Sequence, residues 1–151
     1  MNDYDTDTVG WSERQAALLR RRAAGELINE ADLDWPNIAE EIESLGKREQ
    51  QRLYNRVMTV LEHLIRLQAS PSIDPRAGWR STIVRSRVQI AKLLQDNPSL
   101  RPTAPDVIAG ALPAAREIAA EALAEHGEQP RVELDTLTYS VGQVLGPWWP
   151  Q

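Results

Sequence analysis

Leu53, Val57, Val60, Leu61, Leu64 and Leu67 return at intervals of three and four, the spacing that lays apolar side chains along one side of an α-helix. Every other periodic segment keeps the same period, and none alternates convincingly in the period-two manner of a half-buried strand. The pattern predicts an all-α fold, a single up-and-down helical bundle of about five helices plus a short C-terminal helix. A chain of 151 residues suits one domain over 1–151, because at this size roughly 70% of the unfolded surface is buried without metal or disulfide staples. There are no cysteines, which excludes disulfides, thiolate nucleophiles and Cys-ligated metal centres.

In chain order, residues 1–8 are acidic and expected to fray, with Tyr4 as one anchor. A first helix carries Trp11, Gln15, Leu18 and Leu19, with Ser12 and Gln15 as a capping pair and Gly25 as a left-handed stop. Asp34-Trp35-Pro36 opens a second helix, since a proline in the first turn lacks only an N–H that has no helical partner. Trp35, Ile38, Ala39, Ile42 and Leu45 share its face toward the core; Glu40 points away, and Glu41 and Glu43 border the face. Gly46 is read as a break before the third helix, where Glu62 and Arg66 form an exposed i,i+4 pair.

Asp74-Pro75 repeats the cap-then-proline opening, and Trp79, Ile83, Ser86, Ile90, Leu93 and Leu94 form the main face of a fourth helix. Val84 and Val88, with Ala77 and Ala91, form a second, weaker face suited to a partner. Arg76, Arg80, Arg85, Arg87 and Lys92 lie between Pro75 and Gln95 with no acid among them, so pairing with the acids of the second helix is expected. Thr103 and Asp106 propose a capping box for a fifth helix, kinked at Pro113 and ending at His126-Gly127. Residues 127–138 read as a loop, Ser140 and Gln143 cap a short helix, and 146–151 form a tail in which Trp148 and Trp149 either dock or stay adhesive.

A net charge of −5 opposes general nucleic-acid binding, which is driven chiefly by neutralisation of phosphates. No apolar run reaches the length of a membrane span, the first thirty residues have no signal-peptide core, and a cytoplasmic location is expected. No phosphate-cradling glycine loop or other cofactor motif is present, and no cofactor is expected.

Two constellations invite a chemical reading. Glu41 and His63 are candidate ligands of a carboxylate/histidine metal site in a bundle core, although the Glu-x-x-His spacing of such sites is missing. Arg56 and His63, two turns apart, are candidate catalytic groups: arginine stabilises a phosphorane and histidine moves a proton near neutral pH. Their spacing resembles the arginine-to-histidine motif of the HEPN helical ribonucleases, with Val57 where that pattern favours a polar residue. The resemblance implies a metal-independent cleavage of RNA assembled across a dimer. The plainer expectation is a Glu41–His63 contact between two helices, with Arg56 taken up by a carboxylate.

Tyr4-Asp5-Thr6-Asp7, Trp11, Leu33-Asp34-Trp35, Ala39 to Gly46, His63-Leu64-Ile65, Trp79-Arg80, Asn97-Pro98-Ser99-Leu100 and a final Trp-Pro stand in an order that resembles the bacterial domain-of-unknown-function family 29. The resemblance implies an all-helical fold without an assigned activity, and it makes Glu40, Glu41, Glu43, His63, Trp79 and Arg80 the family features. The function expected is a non-catalytic interaction module with a protein partner or a second copy of itself, meeting it through Val84, Val88, Trp148 or Trp149.

Overall fold

A computed structural model describes residues 3–151; the expected fraying at Met1 and Asn2 lies outside them. Six α-helices occur among the described residues: α1 (Asp3–Thr6), α2 (Thr8–Ala23), α3 (Trp35–Ala69), α4 (Arg76–Asp96), α5 (Ala104–Glu125) and α6 (Val141–Leu145), with short 3-10 turns between some of them. No strand is present among those residues, and no helix is long and apolar enough to cross a membrane. The chain divides into two compact units, Met1–Arg48 and Glu49–Gln151, with the division inside α3.

The expected second and third helices are one helix of 35 residues. Gly46 does not break it, because a helical glycine costs only about 1 kcal/mol relative to alanine and its neighbours are good helix formers. Glycine ends a helix when it takes a positive φ, as Gly25 (83°) and Gly127 (64°) do. At both, the next residue's N–H returns five residues, Glu26 to the carbonyl of Arg21 and Glu128 to that of Leu123. A Cβ at Gly46 meets nothing within 4 Å. Gly46→Ala should therefore stabilise the protein by about 0.5–1 kcal/mol. Thermal or urea unfolding that showed destabilisation would mean that the helix does not run through.

In the Met1–Arg48 unit, α1 forms where fraying was expected, and α2 starts four residues ahead of Ser12. Its cap is Asp7, whose carboxylate accepts from the Gly10 N–H at 2.9 Å, so the Ser12–Gln15 pair does not cap it. Gln15 instead ties α2 to the following segment, donating to the Asp32 carbonyl (3.0 Å) and accepting from the Asp34 N–H (2.9 Å). Trp11 and Leu33 are the buried apolar side chains among this unit's described residues.

In the Glu49–Gln151 unit, the α3 stripe from Leu53 to Leu67 is buried with Ile83 and Ile90 of α4 and the small-residue face of α5, Ala111, Ala115 and Ala119. Alanines on α5 permit close helix approach. Pro113 lies on the exposed side of α5, which continues through it; the carbonyl that loses its N–H partner there belongs to exposed Ala109. Thr103 makes no side-chain cap for α5, because its hydroxyl donates to the Leu100 carbonyl. The Ser140–Gln143 capping box of α6 is formed, and Val144 is buried.

Candidate functional site

Three places hold the side chains that invite a function. The first is the acidic start of α3. Glu41 lies on the same helix as His63, about six turns away, so the expected contact between two facing helices does not form. Its carboxylate accepts instead from the Tyr4 hydroxyl (2.6 Å) and from Arg48 (3.3 Å). The hydrogen bond to Glu41, then burial, push the Tyr4 phenol up to about 12. Tyr4 also meets Trp11 edge to face at 4.9 Å, and the Trp11 indole N–H donates to Asp34 at 3.0 Å. Glu40 and Glu43 are exposed. The apolar stripe beside them was expected to face the core, yet Trp35, Ile42 and Leu45 are 47%, 65% and 59% exposed. The Arg22 guanidinium lies 5.7 Å over the Trp35 ring.

The second place is the Arg56–His63 segment. His63 Nδ1 lies 2.8 Å from the Thr59 carbonyl. A carbonyl only accepts, so Nδ1 carries the proton and Nε2 is left as the free base of the neutral ring. The His63 side chain is 14% exposed. Arg56 is exposed and, against expectation, has no carboxylate partner among the described residues. Arg66 pairs with Glu62 at 3.1 Å as expected, but the pair is largely covered rather than exposed, and Arg66 Nε is buried without a partner. Among the described residues no three His, Asp or Glu side chains converge as a metal site would need.

The third place was not anticipated. A cleft of about 880 Å3 lies where the end of α3, the 71–75 turn, the start of α4 and the end of α5 meet. Trp79 and Leu123 supply apolar wall, and Ser72, Asp74, His126 and Glu128 supply polar groups. Glu128 is spoken for: Ser70 donates to it at 2.7 Å and Ser72 donates to its other oxygen. These two hydroxyls, Ser70 first, hold the Glu128 carboxyl below the ordinary glutamate value. A depressed carboxyl stabilises the fold above its ordinary range, and that contribution is lost as pH falls through the lowered value. The melting temperature of Glu128→Gln should thus fall below wild type at neutral pH, with the gap closing in acid. A gap that stayed constant down to about pH 2 would contradict the clamp.

Among the described residues, Arg76, Arg80 and Arg87 of α4 find carbonyls and a ring rather than carboxylates. Arg76 donates to the Leu67 carbonyl at 2.8 Å, at the negative end of α3. Burial, then repulsion from Arg131 and Arg80, lowers its pKa. Arg87 donates to the carbonyls of Val144 (2.9 Å), Gln143 (2.8 Å) and Trp148 (2.8 Å). Arg80 and Arg87 lie 5.3 and 5.0 Å over the Trp149 ring. Trp148 packs against the core with Tyr139 edge to face at 6.3 Å, so both terminal tryptophans dock. Val84 and Val88 remain exposed at 49% and 65%.

The family model described as "Domain of unknown function DUF29" matches residues 4–149. Neither the curated proteins nor the solved structures contain a match.

Proposed function

We propose that this chain, which belongs to the DUF29 family, works as a non-catalytic helical interaction module whose docking face is the α3 stripe of Trp35, Ile38, Ile42 and Leu45. The observation that supports it is the exposure of Trp35, Ile42 and Leu45, with Ile38 half-buried between them, on a unit with only Trp11 and Leu33 buried among its described apolar residues. A helix with an apolar stripe gains its stability by covering it. Nothing in the Met1–Arg48 unit covers Ile42 or Leu45, so a partner is the source of that stabilisation. The test is a photoreactive residue in place of Ile42 or Leu45, with Arg56 as the control position. Crosslinking of a partner chain in the host from 42 and 45 but not from 56 supports the reading. Equal yield at all three positions, or none, overturns it.

A second reading, a metal-independent ribonuclease using Arg56 and His63, draws support from the exposure of Arg56, which has no carboxylate partner among the described residues, and from the Nδ1–H tautomer that leaves His63 Nε2 as a base. His63→Ala separates the two. A ribonuclease loses cleavage of single-stranded RNA in chelator while its melting temperature holds; an interaction module has no such activity to lose.

A further inference from the structure

We infer that the partner is a second copy of this chain: the α3 stripes of two copies pair antiparallel about a two-fold axis, with each Glu41 meeting Arg48 of the other copy. This rests on the interaction reading above and names its occupant. Trp35, Ile38, Ile42 and Leu45 are spaced three, four and three, the a and d positions of two successive heptads. On one flank of that seam stand Ala39 and Gly46, small enough for two helices to approach closely. On the other stand Glu41 and Arg48, one heptad apart. Their own ion pair at 3.3 Å shows that they line the same edge, and their side chains are 31% and 59% exposed.

The charge order selects the occupant and its direction. Between Trp35 and Gly46 the ionisable residues are Glu40, Glu41 and Glu43, all acidic; Lys47 and Arg48 follow at once. An edge that runs from acid to base is complementary to itself only when reversed. A two-fold axis makes this reversal, since residue i of one copy then meets residue j of the other and j meets i. With Ile42 set against Leu45 of the second copy, Glu41 and Arg48 fall opposite each other twice. Parallel pairing would set the Glu41–Arg48 edge against the Ala39–Gly46 edge of the other copy, which offers neither charge a partner.

The experiment is sedimentation velocity of the full chain from about 1 to about 100 µM, with charge variants. The expected result is a concentration-dependent dimer. Glu41→Arg and Arg48→Glu should each weaken it roughly tenfold at low salt, because each replaces two unlike pairs by two like ones. An equimolar mixture of the two variants should recover association, since every contact between the two different chains is again unlike. That recovery also separates pairing from any damage done by removing the acceptor of Tyr4, which mixing does not repair. A wild type that stays monomeric throughout, a dimer undisturbed by Ile42→Asp with Leu45→Asp, or a mixture that fails to recover overturns the inference. If the pure chain is monomeric while position 42 crosslinks a different protein in the host, self-pairing falls and the interaction reading stands. If neither association nor crosslinking is seen, both fall.

Discussion

Replacing Arg87 by alanine is expected to lower the stability of the Glu49–Gln151 unit by about 2–4 kcal/mol, with a melting temperature lower by on the order of 10 °C. The guanidinium holds three carbonyls of the C-terminal segment, those of Gln143, Val144 and Trp148. Its burial lowers its pKa, so the charge has been partly removed from water and these acceptors are what compensate it. Alanine removes the charge and leaves the carbonyls to find water, and it takes one of the two cations from the Trp149 ring. Arg87→Lys should recover only part of the loss, because a point ammonium cannot span three acceptors as a planar fork does. Fluorescence of the terminal tryptophans, read during urea unfolding, follows the release of the segment. A loss below about 0.5 kcal/mol, the range of ordinary surface substitutions, would show that Arg87 does not hold the tail.

Much of the fold was legible because helical period is local. The stripe from Leu53 to Leu67, the main face of α4 and the Ser140–Gln143 box each need only a few adjacent residues to be recognised, and each stands where the spacing puts it. What failed to show was decided over distance. Gly46 carries the same letter as Gly25 and Gly127, and only the backbone φ tells a helical glycine from a terminating one. The stretch between Pro75 and Gln95 did carry a signal, five cations without an acid, but the acceptors of Arg76 and Arg87 are carbonyls, which every residue has and no sequence marks. Glu128 reaches Ser70 and Ser72 across 58 and 56 residues, and neither serine stands out beforehand. The candidate site suffered most from one assumption. An apolar stripe says that a face is to be covered and not by what, so the spacing of Trp35, Ile42 and Leu45 points to a core that does not cover them.

The two halves of α3 should respond oppositely to the same kind of truncation. Leu64 has no exposed surface and sits in the core cluster with Ile83 and Ala115. Leu64→Ala should cost about 3–5 kcal/mol, the transfer energy of the lost carbons plus the cavity they leave among side chains that relax only in part. Leu45 is the same residue type on the same helix but 59% exposed. Leu45→Ala should cost the isolated chain no more than about 0.5 kcal/mol, since little area is given back to water and alanine is the better helix former. The comparison becomes sharper with concentration. Stabilisation that comes from association grows with protein concentration, whereas a core contact is indifferent to it. The cost of Leu45→Ala should therefore rise as the chain is concentrated, and that of Leu64→Ala should stay constant. Urea unfolding of both variants at two concentrations measures this directly. Equal costs for the two leucines in dilute solution would mean that Leu45 is as covered as Leu64, and that the stripe is part of a core after all.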